Sequence, residues 1–170
     1  MSEFSNSSIN LTEIPDFKSV DLSQVNAGFR NILSIRFSIG LILTSMAITL
    51  SIYFFSVPLW LNAVTVLLAL IVFSLIFIEF FVGFKYRQFG LRQLDIIYQS
   101  GYLVRTETIV PFNRIQHVEI SQGLLMRYFN LYSLLIYTAG ESSGDLNIAG
   151  LDLETAQKIK SKVLQEIEDE

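Results

Sequence analysis

Five polar side chains fall within a short stretch of the chain: Arg114, Gln116, His117, Gln122 and Arg127. A guanidinium grips a carboxylate or phosphate through two parallel hydrogen bonds, so Arg114 and Arg127 are candidates to hold a carboxylate or a lipid phosphate. The other reading is structural. Arg114 follows a proline turn, where it can bond carbonyls at a sheet corner, and Gln122-Gly123 can make a tight bend, because a small twisted sheet must satisfy its backbone at such points. His117 is the single histidine. A general base needs a nucleophile and an orienting partner. Ser121 is nearby, but no nucleophile-elbow or triad pattern surrounds it, and no glycine-rich phosphate loop is present. With no cysteine and one histidine, thiolate and histidine-rich metal sites are excluded. The expectation is no enzyme, no cofactor and no metal.

The elements that must position these residues are set by where the apolar excess lies. Apolar residues are 51% of the 170 and charged residues 16%, against about 25% charge in an ordinary soluble domain. No charge occurs over the 19 residues Phe37–Phe55 or the 22 residues Val57–Ile78. About 20 apolar residues cross a bilayer core as a helix. Pro58 breaks the first run and can open the second, which predicts a hairpin of two spans, to about Phe55 and from about Leu59 to Phe81. The first run begins too late and runs too long for a cleaved signal peptide. Arg30 and Arg36 precede the first span, Lys85, Arg87 and Arg92 follow the second, and the connecting turn is uncharged. The positive-inside rule then puts both termini of the two-span chain in the cytoplasm. Tyr53, Phe54, Phe55 and Trp60 at the outer turn, and Phe80, Phe81, Phe84 and Tyr86 at the inner end, fit interfacial aromatic belts.

Small residues recur along one face of the first span: Gly40, Thr44, Ala47 and Ser51. In lipid such a face admits close helix approach, either within the hairpin, against Asn62, Thr65 and Ala69, or against another chain. Glu79, near the end of the second span, lies within two turns of Lys85 and Tyr86. An intramembrane carboxylate is a functional candidate by default, here for a proton or ion role, and interfacial snorkelling or pairing is the plainer account.

Residues 1–28 are rich in Ser and Asn with short apolar patches (Leu11, Ile14, Phe17, Val20, Leu22) and read as a flexible segment. Beyond Tyr86 the pattern becomes strand-like. Leu94–Gln99, a turn at Ser100-Gly101, Tyr102–Val110 closed by Pro111, and the alternating Ile115–Ile120 read as strands. The alternation puts His117 on one face with Ile115 and Glu119. A short helical stretch Leu124–Phe129 closes at Asn130, followed by strands Tyr132–Thr138 and Asp145–Ala149 about a polar turn, Gly140–Gly144. Asp152 caps a helix whose Ala156, Ile159, Val163 and Ile167 form one apolar face, ending in an acidic fringe.

Several of these segments resemble a known family. Val110-Pro111-Phe112-Asn113-Arg114-Ile115-Gln116-His117-Val118, then Ser121-Gln122-Gly123-Leu124-Leu125-Met126-Arg127-Tyr128-Phe129-Asn130-Leu131, then Tyr137-Thr138-Ala139-Gly140, then Ile148-Ala149-Gly150-Leu151 follow the order and spacing of bacterial pleckstrin-homology-like membrane proteins of the YdbS type. The family's usual glycine stands here as Asn130, which tolerates the left-handed conformation. The resemblance implies an α+β membrane protein: a two-helix transmembrane hairpin followed by a small PH-like antiparallel β-sandwich or open barrel capped by a C-terminal helix. The divisions would be 1–28, 29–84 and 85–170. It also implies a scaffold or accessory subunit in envelope maintenance or antimicrobial-peptide tolerance, assembling with itself or with a larger membrane protein that carries several such domains. The alternative is an anionic-headgroup sensor in contact with membrane lipids. Residues 86–170 hold 8 Lys and Arg against 11 Asp and Glu, which suits neither a headgroup pocket nor nucleic acid.

Overall fold

Asn26 turns the chain into the first helix. Its Oδ1 accepts from the Gly28 N–H at 2.8 Å and its carbonyl accepts from the Phe29 N–H at 3.0 Å, an Asx-type turn. The structure, a computed structural model, describes residues 21–55, 57–138 and 146–168. The patches at Leu11, Ile14, Phe17 and Val20, Ser56 in the outer turn, Ala139 with the turn Gly140–Gly144 and Asp145, the side chains of Phe55 and Ile167, and the acidic end lie outside the described residues.

Strand β1 (Ser23–Gln24) leads into α1 (Phe29–Phe55). Pro58, extended at φ −53° and ψ 140°, opens α2 (Leu59–Phe77), and its carbonyl accepts from the N–H groups of Leu61 and Asn62. Phe29–Phe54 and Leu59–Tyr86 are long and apolar enough to cross a membrane. The helices meet along an aromatic seam, where the Phe37 ring lies 5.6 Å from Phe73, 5.8 Å from Phe77 and 6.2 Å from Phe81. After α2 the helix widens to a π turn, Ile78–Val82, and tightens to a 3-10 turn, Gly83–Tyr86.

Strands β2 (Gln88–Leu91), β3 (Asp95–Ser100) and β4 (Thr106–Pro111) complete a four-stranded antiparallel sheet in the order β1-β2-β3-β4. A 3-10 turn, Phe112–Arg114, leads to the second sheet, β5 (Ile115–Ser121), β6 (Tyr132–Thr138) and β7 (Leu146–Leu151), with the short helix α3 (Leu124–Tyr128) between β5 and β6. Helix α4 (Leu153–Glu168) packs Ala156, Ile159 and Val163 into the core, each at most 1% exposed. Asn130 takes φ 51°, the left-handed value expected at the end of α3.

Ser23 and Gln24 of β1 pair with Phe89 and Gln88 of β2. The helical hairpin is therefore an insertion in the β1–β2 connection, not a unit that precedes the domain. Residues 21–28, expected as part of a flexible segment, contribute this strand and Val25, which is 3% exposed. The expected boundary at residue 85 fails for the same reason: Phe29, Ile32 and Leu33, the base of α1, are at most 3% exposed among core residues of both sheets. Successive antiparallel strands reverse direction, so the β1–β2 and β3–β4 connections share the end of the sheet that carries the hairpin, and the β2–β3 turn lies at the opposite end.

The β4 strand starts at Thr106, later than the expected Tyr102, because residues 102–105 form a loop that folds back toward the π turn. The Asp152 cap is as expected. Its Oδ2 accepts from the Thr155 N–H at 3.0 Å, and chiefly this bond lowers its pKa. Replacing Asp152 by alanine is expected to cost about 1 kcal/mol. A depressed native pKa adds stability that is fully present above the unfolded carboxylate range and is lost as pH falls through the native value. Urea unfolding across acidic pH should show that loss in the parent and a flatter profile in Asp152→Asn, which keeps the cap without the titration.

Candidate functional site

The end of the domain that meets the hairpin is organised by Glu79, in the π turn. Such turns are rare and often mark functional sites. The Glu79 Oε2 accepts from the backbone N–H of Tyr102 at 3.2 Å and of Leu103 at 3.0 Å. The expected pairing with Lys85 or Tyr86 is replaced by this cap on the β3–β4 loop. A hydrogen bond to a charged acceptor contributes about 1.5–3 kcal/mol when shielded and less where water reaches it. Gly101 lets the loop close. Its φ is +87°, and a Cβ there would stand 2.0 Å from the Val104 carbonyl oxygen. The Tyr102 and Tyr86 rings lie 5.6 Å apart, and the Arg105 guanidinium lies 5.9 Å from the Tyr86 ring. The sequence marks Glu79 as unusual, but its partners are 23 and 24 residues away, beyond any local pattern.

The five polar motif residues do not form one site. Arg114 sits before β5 and Arg127 in α3 beyond its other end. Seven strand residues span about 23 Å, so the two guanidiniums cannot grip one anion together. Both are exposed. Gln122 is structural: its Nε2 donates to the Leu131 carbonyl at 3.2 Å across the α3 loop. Gly123 has φ −73° and open space around it, so the bend rests on Gln122. A bulge between Ile115 and His117 breaks the alternation. Ile115 and Val118 are buried, Gln116 and His117 are exposed, and the expected shared face of His117 and Ile115 is lost. The His117 ring instead stacks on Tyr137, with centroids 5.7 Å apart.

The juxtamembrane cations also divide. Arg30, Arg36 and Lys85 are exposed. Arg87 is half-buried with its guanidinium 5.9 Å from the Phe29 ring centroid, and its Nε has no hydrogen-bond partner. Arg92 leaves the set. It lies in the β2–β3 turn at the far end and binds both Asp95 oxygens, at 2.6 and 2.5 Å, a bond that raises its pKa.

Within the hairpin, Gly40 meets Phe73: a Cβ on it would stand 3.5 Å from that ring. Thr44 and Ala69 share a groove of about 150 Å³ between the helices with Leu41, Ile48, Val66 and Phe73. Gly40, Thr44 and Ser51 are half-buried and Ala47 is exposed, so part of the small-residue face is used by the hairpin itself. Asn62 is buried, donating to the Val57 carbonyl at 3.0 Å, and Thr65 is exposed. No local pattern in the chain singles out the exposed side of α3. There Leu124 is 89% and Tyr128 83% exposed, one turn apart on one face, beside Arg127. Among the described residues no three His, Cys, Asp or Glu side chains are grouped to hold a metal ion.

Comparison with known proteins matches this architecture. The model of the family described as "Bacterial PH domain" matches residues 34–167. The chain is 33% identical over 125 residues to the UPF0699 transmembrane protein YdbS of Bacillus subtilis (strain 168), covering 72% of this chain and 76% of that protein. No solved structure matches the chain significantly. Two long apolar helices, a four-stranded and a three-stranded antiparallel sheet, a closing helix and these matches together place the chain in the bacterial PH domain family, as a YdbS-like membrane protein.

Proposed function

We propose that this chain is a non-enzymatic scaffold or accessory subunit of a membrane assembly. Its hairpin crosses the plasma (inner) membrane with both chain termini in the cytoplasm, and its PH-like domain meets a second copy or a larger membrane protein with several such domains. The observation that carries this reading is the exposed pair Leu124 and Tyr128 flanking Arg127. Large apolar side chains held side by side in water on a rigid helix are a feature of interaction surfaces. The orientation is supported by exposed Arg30, Arg36 and Lys85 at the domain end of the hairpin and an uncharged turn at the other. A role in envelope maintenance or antimicrobial-peptide tolerance follows by resemblance. The headgroup-sensing alternative is weakened by the separation of Arg114 from Arg127 and by Arg92 pairing with Asp95.

The test is native mass measurement of the intact protein and its co-purifying partners extracted in mild detergent. A complex of fixed stoichiometry that survives high salt is expected, because buried apolar contacts are little screened. Leu124→Glu with Tyr128→Glu should dissociate it and leave the domain folded. A monomer that retains anionic lipid, and loses it in Arg127→Glu, would overturn the assembly reading in favour of headgroup binding.

A further inference from the structure

We infer that the β3–β4 loop, Tyr102–Arg105, is a second membrane contact: an apolar wedge seated in the bilayer interface beside the hairpin, with lipid as its partner. This inference goes beyond the assembly reading and needs no protein partner.

Depth is the first support. The 19 residues of α2 rise about 28 Å, close to the thickness of a bilayer hydrocarbon core. The apolar slab therefore ends near Phe77, level with Phe37 on α1, whose ring is 5.8 Å away. Glu79 follows within one turn, and its carboxylate holds the loop backbone at Tyr102 and Leu103. The loop is thus tied to the point where the span leaves the slab. Topology agrees, since the β3–β4 connection shares the hairpin's end of the sheet.

Chemistry is the second support. Tyr102 is 47%, Leu103 50% and Val104 77% exposed. Three consecutive apolar side chains at this depth continue the apolar surface of the spans, and the N–H groups of Tyr102 and Leu103 are satisfied by Glu79, so these two donors are not stranded as the loop approaches lipid. The paired Tyr86 and Tyr102 rings suit the interfacial belt. Arg105 closes the loop with an exposed guanidinium, suited to a headgroup phosphate.

The chain has no cysteine, so single labels are clean. Val104→Cys and Leu94→Cys carry an environment-sensitive fluorophore on the full-length protein in phosphatidylcholine vesicles with a minority of phosphatidylglycerol. Leu94, 74% exposed, sits at the opposite end of β3 and reports the same label in water. The label at 104 should be quenched several-fold more by nitroxide on the lipid acyl chains than the label at 94, and several-fold less by aqueous iodide. Glu79→Ala should raise the iodide access of the label at 104. Equal iodide access at 104 and 94 would overturn the inference, as would protection of 104 from both quenchers, which marks a protein contact. Native mass measurement of the same samples reports assembly separately, so failure of one reading is distinguishable from failure of the other.

Discussion

A fragment of residues 85–170 is expected not to fold. That stretch holds the PH-like sheets and α4, but it lacks β1 and five core side chains: Val25, Phe29, Ile32, Leu33 and Phe84, each at most 9% exposed in the whole chain. Burying an apolar side chain contributes about 1.5–3 kcal/mol, so their loss removes on the order of 10 kcal/mol. A domain's entire net stability is about 5–15 kcal/mol. The fragment should show a poorly dispersed amide spectrum, bind a hydrophobic dye and melt without cooperativity. The converse is equally specific. The Phe37 and Phe77 rings are 5.8 Å apart, so a short Gly/Ser linker replacing residues 38–76 can join the base of α1 to the π turn. That shortened chain restores every missing core residue and should fold cooperatively. Cooperative melting of the 85–170 fragment would show instead that the base of α1 is dispensable and the hairpin only a tether.

This division of labour explains what was legible in the sequence. Long charge-free runs, Pro58 between them, the Asp152 cap and the Ala156–Ile159–Val163 stripe are local signals, and each corresponds to an element with the expected limits to within a few residues. The motif resemblance supplied the domain type. The insertion topology was hidden because β1 is two residues long and its partner lies 64 or more residues away. The first turns of α1 were hidden because Phe29, Ile32 and Leu33 look like the start of a membrane span, and hydropathy does not distinguish burial in lipid from burial in a protein core. The face of His117 is not legible because a bulge shifts the alternation by one residue, and no period-two pattern reports a bulge. Proximity in sequence puts Arg92 at the membrane, although the four residues of β2 carry it to the other end of the sheet. The exposed pair on α3 was legible as residues but not as a surface, since exposure depends on which face Met126 turns inward.

Gly150→Ala is expected to loosen the joint between hairpin and domain. Gly150 lies in β7 with φ +88°, and a Cβ there would come within 2.7 Å of both Cβ and Cγ of Phe29. Its carbonyl also accepts from the Asn26 N–H at 2.8 Å, so the backbone cannot move aside without breaking the turn that starts α1. A left-handed alanine costs about 1–2 kcal/mol and overpacking a closed contact about 1–3 kcal/mol. Together these correspond to a fall in Tm on the order of 10 °C for a chain of this size. Phe29→Ala alone should cost about 3–5 kcal/mol through the cavity it leaves. The double variant separates mechanism from damage. Removing the Phe29 ring takes away the contacts with Cγ and Cδ2 and leaves only the one with the Phe29 Cβ, so the two losses should fall short of additivity by about 0.5–3 kcal/mol, the range for residues in contact. Thermal unfolding of the four proteins in detergent measures this. Strict additivity would mean that α1 does not pass over Gly150. A large shortfall would establish that the glycine of the Ile148–Leu151 motif is required because a membrane helix is rooted on it, which makes the hairpin part of the PH-like core.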